Sequence, residues 1–347
     1  MKTKHHISFP SIEQFRNVIA NINRQFNFVG LDVNGDAIYD PSLPKPILEF
    51  RGSVKLHGTN AATCFNNIDG LWVQSRENII TSEKDNAGCA FSVYSNKEVW
   101  ISLIKSLADA NTIDLDKNTI SVYFEYAGGN IQKGVAITNL EKSAFIFADA
   151  KISPFDAEQV AYWIPTSVNG ENLSSKENKI YNVNDYETFT IDIDFNMPQL
   201  SQNAIIDMTV AVENECPVGK AFGFSGVGEG VVFITYLNGV RYSFKSKGMK
   251  HSSSKVKVLA SVDVDKLNSI KEFVEYAVTE SRFNQGLEKT FGNSPVDVTK
   301  MGDLIRWVVA DVMKEEMDAM VENKIEPKDV NKYISTKVRE MFFKLPV

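Results

Sequence analysis

The run KLHGTN, residues 55–60, joins an amine to a polar turn that contains a glycine. It ends one strand-like apolar stretch and precedes another, AATCF. At such a junction, backbone N–H groups and short polar side chains can hold an anion. A lysine amine is a nucleophile only when deprotonated, and burial or neighbouring cations lower its pKa. Lys55 is therefore a candidate nucleophile beside an anion site, although a single lysine near a glycine turn is more often a surface cation.

A second candidate anion site lies in the stretch 241–257, which has six basic residues and no acid: Arg241, Lys245, Lys247, Lys250, Lys255 and Lys257. The chain as a whole is acidic, with 37 Lys and Arg against 44 Asp and Glu and a net charge of −7. This balance argues against a protein that coats nucleic acid through charge alone. The basic stretch indicates a local anion site, and the alternative is a solvated strand and linker.

Length and composition exclude several classes of protein. The 347 residues, 43% of them apolar, predict one large or two modest globular domains. No apolar run reaches the roughly 18 residues that span a bilayer, and the N-terminus has no apolar core of a secretory signal. The three scattered cysteines argue against a disulfide framework or a zinc cluster. We therefore expect a cytoplasmic protein with reduced thiols and no membrane partner.

The elements that would position these residues are mostly strands in the first three quarters of the chain. Short apolar runs are separated by turn residues, and Asp69-Gly70 and Asn238-Gly239 are typical of type I′ hairpin turns. Apolar spacing predicts helices over 12–26 and 97–109.

The pattern changes near residue 250. The segment GMKHSSSK is typical of a linker, and three helical stripes of apolar residues follow it, around 270–278, 304–320 and 330–342. This predicts a mixed, β-rich domain over residues 1–250 and an all-helical domain over residues 251–347.

KLHGTN resembles the nucleotidyl-accepting motif of the covalent nucleotidyltransferases, specifically the RNA ligase 2 type of phage RNA ligases and kinetoplastid RNA-editing ligases. Further segments resemble the family's other motifs in the same order: SRENII, VYFEYAGGNIQKGV, FIFADA, GEGVVF and FKSKG. The resemblance covers about residues 50–250. It implies an α+β fold, with an ATP-grasp-like nucleotidyltransferase domain built on antiparallel sheets and a helical C-terminal domain that binds nucleic acid.

The resemblance also implies catalytic roles. Lys55 would attack the α-phosphate of ATP and form a lysyl–AMP intermediate. Lys245 and Lys247, which share one side of a strand, would neutralise phosphate charge during each transfer. Glu229 would hold a divalent metal ion, directly or through water. If Glu229 is considered without the other motifs, the favoured interpretation is an exposed acid or a partner in an ion pair.

The remaining expected roles concern nucleotide binding. Glu125 would accept hydrogen bonds from the ribose, and Arg76 would contact the ribose or a substrate phosphate. Phe147 would stack on the adenine, but Phe145 has the same strand parity, so either ring remains a candidate. A core aromatic is the alternative for Phe147.

The polar turn completes the expected cradle. His57 would orient phosphate or pyrophosphate, and Gly58, Thr59 and Asn60 would surround the nucleotide or the phosphate at a nick. The alternatives are a histidine that caps backbone groups and an asparagine that stabilises the turn. The N-terminus extends about twenty residues beyond what the resemblance leads us to expect before the nucleophile, and no role is implied for this extension.

The implied activity is that of an ATP-dependent RNA ligase, with Mg²⁺ or Mn²⁺, that seals 3′-OH and 5′-phosphate ends. We expect a monomer that acts on nicked duplex RNA, or on an RNA/DNA hybrid, in the host cytoplasm if the protein is of phage origin. Alternatives are a DNA ligase, a capping guanylyltransferase, and a nucleic-acid-binding protein that has lost catalysis. The helical pattern after residue 250 favours an RNA ligase, because the other two enzymes would carry a β-barrel there.

Overall fold

The computed structural model describes residues 4–85, 87–248, 270–292, 295–317, 320 and 325–345. The chain forms two compact units, Met1–Ser246 and Lys247–Val347. The expected domain boundary, between residues 250 and 251, lies outside the described residues, as does most of the expected linker. Each unit is described separately below.

The first unit contains sixteen strands and five α-helices among its described residues. The strands are β1 (Phe28–Leu31), β2 (Ala37–Tyr39), β3 (Ile47–Lys55), β4 (Thr59–Asn66), β5 (Gly70–Ser75), β6 (Ile79–Ile80), β7 (Asn118–Ala127), β8 (Ser143–Ile146), β9 (Ala150–Pro154), β10 (Tyr162–Ile164), β11 (Ser167–Val168), β12 (Glu171–Asn172), β13 (Ile180–Asn182), β14 (Thr188–Asp194), β15 (Gly230–Leu237) and β16 (Val240–Lys247). The helices are α1 (Phe15–Asn27), α2 (Cys89–Ser95), α3 (Lys97–Ala110), α4 (Gln202–Asn214) and α5 (Pro217–Ala221). The helices expected over 12–26 and 97–109 are therefore confirmed.

An eight-stranded sheet is built around β7. Its strand order is β10-β9-β7-β4-β5-β6, and β8 pairs with β7 and, in parallel, with β13. One face is covered by helices, because Trp100 and Ile104 of α3 share a core cluster with Val122 and Phe124 of β7. Side chains alternate along a strand, so Glu125 lies on the opposite face.

A four-stranded sheet has the order β14-β3-β15-β16. Strand β3 pairs antiparallel with both β14 and β15. One face of this sheet is aromatic: Phe50 and Phe233 contact Phe244 of β16, and Phe15 of α1 packs on the same ring at 4.8 Å. The antiparallel-rich sheets confirm the mixed α and β architecture that the sequence predicts.

Of the two expected type I′ turns, one is confirmed and one is wrong. Asn238 and Gly239 both have positive φ, 52° and 77°, as a type I′ hairpin requires. At the other turn, Asn66 pairs with Gly70, so the loop has three residues and only Gly70 has positive φ. The amide oxygen of Asn66 accepts hydrogen bonds from the backbone of Ile68 and Asp69, and this favours the longer loop.

The described part of the second unit contains helices α6 (Ile270–Ala277), α7 (Glu280–Phe291), α8 (Met301–Glu315) and α9 (Pro327–Phe342). Their apolar residues form one cluster, which includes Phe273, Leu304, Val308, Ile334 and Val338. Inside it, the guanidinium of Arg282 is fully buried and pairs with Asp311 and Glu316. The three helical stripes expected from the sequence thus pack together. Among the described helices, none has both the length and the apolar character needed to cross a bilayer.

Candidate active site

Lys55 lies at the end of β3, where the chain leaves the four-stranded sheet. Its Nζ donates a hydrogen bond to Glu229 Oε2 at 2.7 Å. Glu229 directly precedes β15, and its neighbour Gly230 pairs with Lys55 across the sheet, so the two residues lie at the same end of adjacent strands. His57 Nδ1 lies 3.5 Å from the same carboxylate oxygen. Glu229 is only 3% exposed, whereas Lys55 and His57 keep 20% and 22% exposure, so the lysine remains accessible to a substrate.

Glu125 of β7 contributes a second carboxylate. Its Oε1 accepts a hydrogen bond from the Gly58 N–H at 2.8 Å. Burial raises the pKa of Glu125, and the Glu229 carboxylate raises it further, while Lys55 and the Gly58 N–H oppose the shift. The turn after Lys55 thus holds the Glu125 carboxyl through the Gly58 N–H, and this carboxyl lies within electrostatic range of Lys55 and Glu229.

Gly58 must be a glycine for this turn to approach β7. A Cβ at position 58 would lie 2.9 Å from Ala127 Cβ and would collide with the carbonyl oxygen of Tyr126. The close contact allows the Gly58 N–H to reach Glu125. The glycine of the sequence motif therefore has a packing reason that is independent of any ligand.

Lys245 and Lys247 lie on β16, two strands away from β3. They alternate with Phe244, whose ring packs on Phe50 of β3. Because Lys55 also has the opposite parity to Phe50, all three lysines extend from the face of the sheet that is not covered by these aromatic rings. Lys245 and Lys247 are each partly exposed.

The two candidate stacking rings occupy different surroundings. Phe145 is fully buried, lies opposite Glu125 in the register and stacks on Tyr181 at 5.3 Å. Phe147 lies just beyond the end of β8, is partly exposed and packs edge-on against Phe9 at 5.2 Å. Of the two rings, only that of Phe147 has an accessible surface.

The other expected residues are placed less centrally. Thr59 and Asn60 begin β4 and are partly exposed, and Asn60 pairs with Glu125 in the sheet. Arg76 is exposed, one residue beyond the end of β5. The structure thus brings Lys55, His57, Gly58, Glu125 and Glu229 together, and leaves Arg76 at the surface.

Sequence reasoning missed one residue of this turn, Gln132. Its side-chain amide donates to the Gly58 carbonyl at 3.3 Å, while its own oxygen is buried without a hydrogen-bond partner. The preceding glycines, Gly128 and Gly129, mark a turn, but nothing in the local pattern indicates that a glutamine 74 positions away would reach Gly58.

The site offers few metal ligands. Among the described residues, no group of three His, Cys, Asp or Glu side chains could hold a metal ion. Glu229 and Glu125 supply two carboxylates. This is enough for Mg²⁺ or Mn²⁺ only where substrate phosphates and water complete the coordination, as is usual for Mg²⁺ at nucleotide sites.

Comparison with known proteins gives only distant likenesses. No family model and no curated protein matches the chain. Solved structures of a Naegleria gruberi RNA ligase are similar over 70% of this chain and 56% of theirs. The ligase with PPi has 18% identity and a TM-score of 0.37. A lysine-to-alanine mutant with ATP and Mn has 18% identity and a TM-score of 0.39. A lysine-to-methionine mutant with AMP and Mn has 18% identity and a TM-score of 0.37. The chain thus matches little more than half the length of those ligases, and likeness at this level does not establish a shared activity.

Proposed function

We propose that this protein is an ATP-dependent RNA ligase that acts through a lysyl–AMP intermediate. The observation that carries the proposal is the cluster of Lys55, Glu229, His57 and Glu125. Its members come from separate motifs in the sequence, and the fold gathers them at one strand end. The order of the motifs, which resembles that of the RNA ligase 2 type, gives further support.

In the first step, the Lys55 amine attacks the α-phosphorus of ATP. An N–P bond forms, the bond from the α-phosphorus to the bridging oxygen breaks, and pyrophosphate leaves. The ammonium must first lose a proton, and the Glu229 carboxylate, 2.7 Å from Nζ, is placed to accept it. Lys245 and Lys247 on β16 supply positive charge for the transferring phosphate.

Nucleotide binding would involve the surrounding residues. Phe147 would stack on the adenine, and Glu125 would accept a hydrogen bond from the ribose. Glu229 would hold the divalent ion, directly or through water, and the ion would neutralise phosphate charge. The partly exposed turn of residues 57–60 would face the phosphates.

Two further steps complete the cycle. The 5′-phosphate of the substrate attacks the lysyl–AMP phosphorus, so that the N–P bond breaks and a phosphoanhydride forms. The 3′-OH then attacks the 5′-phosphorus, forms the phosphodiester and releases AMP. The expected substrate is nicked duplex RNA or an RNA/DNA hybrid, bound by a monomer whose helical C-terminal domain holds the nucleic acid.

Covalent labelling with α-labelled ATP tests the first step. We expect the wild-type protein to acquire label, and Lys55→Ala to acquire none, because alanine has no nucleophile. Lys117→Ala removes a lysine that is 80% exposed on the surface and should label normally. An unlabelled wild type, or a labelled Lys55→Ala variant, would contradict the proposal.

A further inference from the structure

The N-terminal segment 5–13 contacts both large sheets of the first unit, and we call it the N-terminal strap. Its first attachment is to the eight-stranded sheet. The backbone N–H of Ile7 donates to Gln74 Oε1 at 3.0 Å, and the Gln74 amide donates back to the Ile7 carbonyl. The Tyr123 hydroxyl also donates to that carbonyl, at 2.9 Å, and Ile7 is 4% exposed. The attachment is therefore specific and buried.

The second attachment is to the four-stranded sheet. Glu13 forms a parallel bridge with Phe244 of β16. Its N–H donates to the Ser243 carbonyl at 3.1 Å, and its carbonyl accepts from the Lys245 N–H at 3.0 Å. Among the described strands, β16 is at the edge of its sheet, where unpaired backbone groups are available for such a bridge. The strap is thus fixed at both ends, to different sheets.

Between these attachments, Phe9 fills an aromatic box. Its ring centroid lies 4.8 Å from Tyr123, 5.2 Å from Phe147 and 5.9 Å from Trp163. The guanidinium of Arg241, on β16, lies 5.1 Å from the Phe9 ring and 5.3 Å from Trp163. Cation–π and edge-on aromatic contacts both stabilise such a cluster beyond simple burial. One side chain therefore joins residues from both sheets.

Three contacts of the strap are close to candidate site residues. Phe9 touches the Phe147 ring itself. Tyr123 is two positions before Glu125 on β7, and its side chain points to the same face. The amide held by Glu13 is that of Lys245. Three separate contacts with this property favour a functional link over a coincidence of packing.

We propose that the N-terminal strap is a positioning element of the nucleotide site and that Phe9 is its central residue. The strap fixes the strand of Lys245 relative to the sheet of Glu125, and Phe9 fixes the orientation of the Phe147 ring. This inference rests on the proposed function, because it assigns the strap to the same site. Phe9 acts through its neighbours, and none of its contacts involves a reacting atom.

The first test compares Phe9→Ala with Phe155→Ala in the full chain. Phe155 is a partly exposed phenylalanine that follows β9 and bonds the backbone near the start of β7, well away from Glu125. We expect Phe9→Ala to raise the ATP concentration for half-maximal covalent labelling about tenfold, as the loss of one aromatic contact predicts, with little change in the maximal rate. Phe155→Ala should leave the ATP dependence unchanged. Phe9→Tyr, which keeps the ring, should restore the ATP dependence to that of the wild type.

The second test does not depend on activity. The Lys245 N–H is protected by Glu13, so Phe9→Ala and Gln74→Leu should each accelerate its hydrogen exchange about tenfold. Phe155→Ala should not. Wild-type exchange at Lys245 in both Phe9→Ala and Gln74→Leu, or an unchanged ATP dependence in Phe9→Ala, would overturn the inference. A wild-type protein that takes no label would overturn the proposed function instead, while faster exchange would still support the link between the sheets.

Discussion

The Glu229 carboxylate faces two nitrogen groups, Lys55 Nζ and His57 Nδ1, in an almost fully buried position. A buried charge is stable only when it is paired, so each group in this cluster depends on the others. The neighbouring Glu125 is held differently, by one backbone N–H, and its residue is partly exposed. The two carboxylates therefore differ in environment, which is common where two acids have different chemical tasks.

The substitution Glu125→Gln should change how the stability of the protein depends on pH. Burial raises the native pKa of Glu125. The contribution of Glu125 to the free energy of unfolding is therefore complete below the ordinary carboxyl pKa of about 4.3. This contribution is lost as the pH rises through the higher pKa of the native state. Glutamine carries no charge and keeps the acceptor for Gly58. We expect the Tm of the variant, relative to wild type, to increase between about pH 4 and pH 8, measured by thermal unfolding.

The matched control is Glu49→Gln, which removes one exposed carboxylate from β3. Its Tm difference from wild type should vary much less over the same pH range. A Tm difference for Glu125→Gln that stays flat, or that falls with rising pH, would contradict the interpretation that burial controls this carboxyl. Loss of covalent labelling in Glu125→Gln would separately support its role at the nucleotide.

Secondary-structure elements bring these residues together through one turn. Strand β3 ends at Lys55 and β4 begins at Thr59, so three residues carry the chain from one sheet to the other. The close contact of Gly58 with Tyr126 and Ala127 fixes the path of this turn. Small changes there would move the lysine away from both carboxylates.

Gly58→Ala should therefore affect both stability and labelling. The new methyl group would collide with the backbone of β7, and overpacking of this kind costs about 1–3 kcal/mol in the free energy of unfolding. Denaturant unfolding measures the cost, and labelling with α-labelled ATP should fall sharply. Gly302→Ala is the control, since a Cβ there meets nothing within 4 Å. If Gly58→Ala has wild-type stability and labelling, the prediction is wrong, because the turn can then move away from β7 without any loss.

Local sequence patterns predict the helices, many strands and the Asn238-Gly239 hairpin, because periodicity and turn chemistry act over a few residues. The same patterns suggest which residues belong to the site, since each motif is short. They do not reveal the strap, because Ile7 and Gln74 are 67 positions apart. Nor do they predict the parallel pairing of β8 with β13, or the three-residue loop at Gly70, where a side chain selects the turn.

The whole molecule is divided into two units, and each unit has its own apolar residues. The first unit has its own apolar clusters, and the described helices of the second unit have another. Each unit is thus expected to fold around its own core. All candidate catalytic residues except Lys247 belong to the first unit, and Lys247 is the last residue of β16.

Truncation after Gly248 tests whether the first unit reacts with ATP and the helical unit binds nucleic acid. The shortened chain retains β16 and should still become labelled with α-labelled ATP. It should lose nick sealing, because we expect the helical domain to bind the nucleic acid. A sealing assay on nicked RNA, RNA/DNA and DNA duplexes measures this, with a melting curve as the control for folding. Normal sealing by the truncated chain would contradict a nucleic-acid-binding role for the helices.

The bridge between Glu13 and β16 has a consequence for biosynthesis. About 230 positions separate Glu13 from its partner Ser243. At typical translation rates, residue 13 leaves the ribosome about 10–50 s before residue 243. Ile7 and Phe9 are thus made long before β16, and the bridge can form only after nearly the whole first unit has been synthesised. The nascent polypeptide should therefore acquire its ATP-reactive state late, and ribosome-stalled chains that stop short of residue 243 should lack it.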